Sequence, residues 1–288
     1  MSTGSLSFRR FFKFPRRLRH AANDPALRND GLFDGLKVQA RVIHALILRD
    51  TLTTHGRSDI GYLWALVEPL ILLCMFLVVF TYRKTGDHGG MNLVTFLTTG
   101  IITYTALRGM AKSISKAIDS NRGLMLYPQV TPIDTMIARG ILQAATMLMV
   151  FLVIIFGCWL LGYGVLPHDW LGVLEALGAI AMLGFGLGLL QNALLRTLPA
   201  TKHVLSPLWR LLLFTSCVFY NMKDLPMSLQ SVIYYNPVAH GIELLRKSFF
   251  AGFQTPIEGY GYIAIWVVAA LFVGLTAERA YRFKGKRA

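Results

Sequence analysis

Apolar residues in this chain gather into six long runs, separated by short polar, charged or turn-forming stretches. The runs predict spans at about 64–82, 91–110, 136–162, 171–195, 203–220 and 260–279. Their lengths fit the roughly 17–25 residues that a helix needs to cross a hydrocarbon core about 30 Å thick. Ahead of the first run, Asp34 is a candidate N-cap for a helix reaching Asp50. On that helix Leu36, Ala40, Ile43 and Ile47 form an apolar stripe opposite Lys37, Arg41, His44 and Arg49. A basic amphipathic helix of this kind lies in the membrane interface; a helix packed under a membrane domain would carry the same stripe. Residues 221–259 are too polar to cross yet stay fairly apolar around Pro226 and Pro237, which predicts broken helices dipping part-way into the membrane. The chain therefore reads as an all-α membrane protein. Six transmembrane helices are preceded by an N-terminal amphipathic interface helix, and re-entrant helices precede the last span. Residues 1–60 form a basic tail plus the interface helix, and residues 61–288 form the membrane domain.

Composition agrees with this pattern: 54% of residues are hydrophobic and 15% charged, whereas soluble domains carry about 25% charged residues. The net charge of +14 would suit nucleic acid, but the placement of the basic residues points elsewhere. With the N-terminus inside, 24 of the 29 Lys and Arg residues fall on cytoplasmic segments. The positive-inside rule then puts both termini in the cytoplasm, with membrane lipid rather than nucleic acid as the partner of the basic face. The first apolar run starts too late for a cleaved signal peptide, so the N-terminus is expected to be retained. Cys74, Cys158 and Cys217 each stand alone inside an apolar run and read as small apolar residues.

The chemistry-bearing residues are few. No Gly-x-x-x-x-Gly-Lys-Ser/Thr loop occurs, and Gly184 and Gly188, four apart in the fourth run, suit close helix packing. His240 and Glu243 would share a helical face as an acid–base pair, or Glu243 would pair with Arg246. Thr99 and Thr103 either bond back to their own helix or line a polar path. Phe76 and Phe80 point toward Arg83 and Lys84, while Trp209, Ser216 and Tyr220 share a face near Arg210. Aromatic faces stack on sugar C–H faces, so these residues are candidates for the translocation path of an anionic carbohydrate; lipid-facing aromatics give the same pattern. Leu124, Met125 and Tyr127 sit in a cytoplasmic loop, where exposed apolar side chains call for a partner protein or tuck against the membrane domain.

The order of these parts resembles the membrane subunit of type-2 ABC exporters, specifically the permeases for capsular polysaccharide and O-antigen. Three stretches carry the resemblance. The first runs through Leu48-Arg-Asp50 to Gly61-Tyr-Leu-Trp64 and Glu68-Pro69; the second is Asn121-Arg-Gly-Leu-Met-Leu-Tyr-Pro128. The third is Asn236-Pro-Val-Ala-His-Gly-Ile-Glu243 with Arg246. The resemblance implies a permease subunit of an ATP-driven exporter that moves lipid-linked anionic polysaccharide across the bacterial inner membrane. It implies a homodimer, two nucleotide-binding ATPase subunits that hold ATP and Mg, and a periplasmic co-polymerase. The chain itself would need no cofactor or metal and would have no catalytic residue. Arg41, Arg49, Asp50, Asn121, Arg122, Leu124, Met125 and Tyr127 would form the ATPase-subunit interface, with residues 121–127 as its coupling helix. Asn236, Pro237, His240, Glu243 and Arg246 would belong to the periplasmic re-entrant region. The alternatives are a membrane-embedded enzyme acting on lipid through His240 and Glu243, and a permease for another cargo such as a small drug.

Overall fold

The computed structural model describes residues 32–57, 60–83, 91–127, 130–257 and 259–285. The basic aromatic tail, Lys84, Pro128 and the side chains of Asp34, Tyr62, Trp64 and Arg83 lie outside the described set. The helices are α1 (Leu32–Arg57), α2 (Ile60–Arg83), α3 (Leu93–Ser115), α4 (Ala117–Ser120) and α5 (Pro132–Leu160). They continue with α6 (Trp170–Thr197), α7 (Thr201–Thr215), α8 (Met227–Tyr234), α9 (Pro237–Phe249) and α10 (Gly261–Gly285). Short 3₁₀ turns lie at Arg122–Leu126 and Met222–Asp224. The compact unit that holds the sites described below begins at Ile43. Before it, in the first turns of α1, Leu36, Lys37 and Arg41 are exposed.

Among the described residues, four helices are long and apolar enough to cross a membrane: α2, α5, α6 and α10. The second apolar run forms α3, the centre of the bundle, with sixteen of its 23 residues buried against protein. A helix enclosed this way needs no lipid-like surface, which is why it tolerates threonines that lower its hydropathy. The fifth run forms α7, which is its opposite: none of its 15 residues is buried. It stops at Thr215 rather than running on to residue 220, because the backbone leaves the helix and Cys217 takes a left-handed φ of 57°.

Local sequence sets the helix starts. Thr131 and Asp134 form a capping box with Pro132 in the first turn of α5. Asp169 caps α6 and Asn92 caps α3. The glycines of α6 set the packing. A Cβ on Gly188 would come within 2.6 Å of the Ile114 Cβ, and one on Gly184 within 2.9 Å of the Met110 Cβ, both on α3. On the other side of α6, Gly186 meets Ala270 of α10 at 2.8 Å in the same sense, and Gly274 of α10 meets Leu189 at 2.6 Å. Gly188→Ala is therefore expected to force α3 and α6 apart and to cost about 1–3 kcal/mol of overpacking. The thermal unfolding midpoint in detergent should fall by several degrees; an unchanged midpoint would rule out this contact as a determinant of stability.

Candidate functional site

The two ends of α3, separated by about 34 Å of helix at 1.5 Å per residue, carry the two clusters of sequence-predicted residues. At its C-terminal end the chain turns through α4 into the Arg122–Leu126 turn. Asn121 is buried there: its Nδ2 donates to the Ala117 carbonyl at 2.9 Å, and its Oδ1 accepts from Arg49 Nη2 of α1. Arg49 also pairs with its neighbour Asp50, which is buried, and the Asp50 carboxylate lies 3.5 Å from Arg139 Nε of α5. Asp119 bonds Arg122 at 3.1 Å and faces Arg196 of α6 at 3.7 Å. Asn192 of α6 donates to the Ser115 carbonyl at 2.5 Å. Polar side chains from α1 and α6 thus tie the segment before the turn to the bundle, and Asp50 links α1 to Arg139 of α5.

This sorts the residues that the resemblance assigned to one interface. Asp50 and Asn121 face inward and position the turn. Arg122 and Tyr127 face outward, Tyr127 with 57% of its surface exposed. Leu124 is half-buried, and Met125 packs against the small apolar cluster that includes Ile114 and Met136. Asp50→Ala removes charge-assisted contacts and leaves Arg139 facing an apolar side chain. A loss of about 1.5–3 kcal/mol is expected, whereas Arg122→Ala should stay within about 0.5 kcal/mol of the parent. Thermal unfolding of the two purified variants checks the contrast; equal midpoints would contradict the assigned positioning role.

At the opposite end, α7 gives way to residues 216–220, and Asn236 stitches this break to α9. Its Oδ1 caps α9 by accepting from Val238 N at 3.0 Å, while its Nδ2 donates to the Thr215 carbonyl and to Ser216 Oγ, each at 3.0 Å. Pro237 occupies the first turn of α9, where its missing N–H costs nothing. His240 is buried, its Nε2 2.7 Å from the Tyr234 carbonyl and its ring 4.4 Å from that of Tyr262. Glu243 and Arg246 pair with each other at 3.4 Å and are fully buried. His240 and Glu243 therefore take different partners rather than acting as a pair. Among the described residues, no group of three His, Cys, Asp or Glu side chains is placed to hold a metal ion.

The candidate path residues divide similarly. Thr99 and Thr103 are enclosed within the protomer, and their hydroxyls donate to the carbonyls of Thr95, Phe96 and Thr99 on their own helix. Phe76 and Phe80 of α2 gather round Phe219, at ring-centroid distances of 3.9 and 6.4 Å, and Phe214 joins them at 5.8 Å. Phe219 carries this cluster and has no periodic signal in the sequence, since it lies in the break rather than on a helix face. Trp209 meets Tyr104, whose hydroxyl donates to the Trp209 carbonyl. The Tyr220 hydroxyl donates to the Phe214 carbonyl at 2.8 Å, the Ser216 hydroxyl to the Leu212 carbonyl at 2.5 Å, and Arg210 is exposed. Beside them lies a cavity of about 290 Å³, lined chiefly by leucines of α6 and α7 with Trp209 and Trp266.

The bundle thus presents a buried scaffold, an outward-facing turn at one end and a broken helix at the other. Residues 41–250 match the ABC-2 type transporter family. The polysialic acid transport protein KpsM of Escherichia coli is 29% identical over 245 residues, covering 85% of this chain and 95% of KpsM. The capsule polysaccharide export inner-membrane protein CtrC of Neisseria meningitidis serogroup A is 29% identical over 249 residues, covering 86% of this chain and 94% of CtrC. BexB of Haemophilus influenzae, of the same description, is 28% identical over 250 residues, covering 85% of this chain and 93% of BexB. With a match that spans α1 to α9, this chain belongs to the ABC-2 type transporter membrane family.

Proposed function

We propose that this protein is the permease subunit of an ATP-driven exporter that moves a lipid-linked, capsule-type anionic polysaccharide across the bacterial inner membrane. The observation that carries the reading is the near end-to-end match to relatives whose names state capsule polysaccharide export or polysialic acid transport. In this reading α2, α3, α5, α6, α7 and α10 are the six spans, α1 lies at the membrane interface, and α8 and α9 are the re-entrant pair. Both termini are cytoplasmic, which the distribution of Lys and Arg supports. The Arg122–Leu126 turn is the coupling element, and Arg41, Arg122, Leu124 and Tyr127 meet a separate ATPase subunit that holds ATP and Mg.

Two copies assemble with two ATPase subunits. Support for the second copy comes from α7, where Val204, Leu208, Leu211 and Phe214 are all more than half exposed. A periplasmic co-polymerase receives the glycan at the outer mouth, and membrane lipid covers the remaining apolar faces. The enzyme reading loses its main support because His240 bonds the Tyr234 carbonyl while Glu243 pairs with Arg246. Disrupting the gene in its host tests the reading: surface polysaccharide should disappear while lipid-linked glycan accumulates inside the cell. Unchanged surface polysaccharide would contradict it.

A further inference from the structure

Arg246 is the largest fully buried side chain among the described residues, and its contacts reach three separate elements. Nη1 donates to the carbonyls of Cys217 at 2.7 Å and Tyr220 at 3.4 Å and faces Glu243 Oε1 at 3.4 Å. Nη2 donates to the carbonyls of Val218 at 2.9 Å and Phe96 at 3.3 Å. The guanidinium carbon sits 3.7 Å from the centre of the Phe96 ring. Two unfavourable situations offset each other here. A buried guanidinium is costly unless surrounded by acceptors and a counter-charge. A helix broken at membrane depth leaves carbonyls that must be satisfied from within the protein. Cys217, a non-glycine residue held at φ 57°, has its own carbonyl engaged by the same guanidinium. Gly100 makes the approach of α3 possible: a Cβ there would lie 2.6 Å from the Val218 carbonyl oxygen and 2.9 Å from Arg246 Nη2.

The broken segment is thus fastened to α3 through the Arg246 side chain, and the far end of α3 leads through α4 into the turn that Asn121 and Asp119 hold. We propose that Arg246 is a positioning residue for transport, a latch that makes residues 216–220 move with α3 when the Arg122–Leu126 turn is displaced. The latch rests on the permease reading above. A lysine cannot replace it: a single ammonium with three donors cannot span carbonyls on two elements and the Glu243 carboxylate at once.

The test uses the full complex of this chain with its ATPase subunit in proteoliposomes, with Cys74 and Cys158 changed to Ser so that Cys217 is the only thiol of the chain. Arg246→Lys and Gly100→Ala, which loosen the latch from opposite sides, are compared with the parent. Expected is retained ATPase binding and hydrolysis with glycan transport reduced about tenfold or more, the scale of a lost coupling between sites. Maleimide labelling of Cys217, buried in the parent, should accelerate in both variants during ATP turnover and stay slow without nucleotide. Equal acceleration with and without ATP would mean that packing alone was lost, and would overturn the latch. So would wild-type transport by either variant, or failure of both variants to assemble with the ATPase. If the parent complex itself binds no ATPase or moves no glycan, the permease reading falls and the latch with it. If the parent transports and only the variants fail to show the split, the latch alone falls.

Discussion

Leu124→Asp combined with Tyr127→Asp should leave the helical bundle folded while releasing the ATPase subunit and stopping export. Tyr127 is more than half exposed at the end of a turn whose base is tied to α1 by Arg49 on Asn121 and to α6 by Arg196 on Asp119. An exposed aromatic on a rigid mount is the kind of residue that dominates a protein interface, where truncation costs about 2 kcal/mol or more. A carboxylate at the same place adds the cost of burying an unpaired charge. The dissociation constant for the ATPase should therefore rise by about thirtyfold or more. Stability should hardly change, because neither side chain belongs to the core. Met125→Asp is a poorer probe, since Met125 packs on Ile114 and Met136 and its loss would confound binding with folding. Co-purification and thermal midpoint measured on the same sample separate the two effects. An ATPase that still binds the double variant with parental affinity would remove this turn from the interface.

Phe219→Ala is expected to be the most damaging single truncation at the other end. Phe219 is almost fully buried and is the shared partner of Phe76, Phe80 and Phe214. Removing such a ring from a packed site costs about 3–5 kcal/mol, and here it would also free the broken segment from α2. Phe80 is only partly buried and lies at the rim of the cluster, so Phe80→Ala should cost much less stability. If the rim lines the glycan path, Phe80→Ala should slow transport while leaving the unfolding midpoint near the parent's. The reverse ranking of the two variants in thermal unfolding would contradict the cluster's role as the anchor of the break.

The long apolar helices were legible in the sequence because apolar runs of span length have few other readings, and Gly184 with Gly188 announced a close helix contact through their spacing, though not that α3 is the partner. What stayed hidden depends on contacts between residues far apart in the chain. Nothing local tells that Thr99 and Thr103 face protein, since a threonine satisfied by its own helix and one lining a path look alike. The resemblance assigns Asp50 and Asn121 to the ATPase-subunit interface, and nothing local tells that the fold turns them inward against Arg139 and Arg49. Arg246 was visible as a neighbour of Glu243, three residues away, but its role rests on carbonyls about 30 and 150 residues distant. The break at Cys217 carries no glycine or proline to mark it, so the fifth apolar run predicts a longer helix than the one that forms.

As a permease subunit of the proposed kind, this chain is a conduit driven by another protein's ATP hydrolysis. Proteoliposomes containing the chain and its ATPase subunit, loaded with lipid-linked capsular glycan, test it most directly through the rate at which glycan crosses the bilayer. Transport should require ATP and Mg, stop when Mg is chelated, and be absent from vesicles that hold either subunit alone. Glycan crossing at the same rate with this chain alone, or in the complete complex without ATP, would contradict the account.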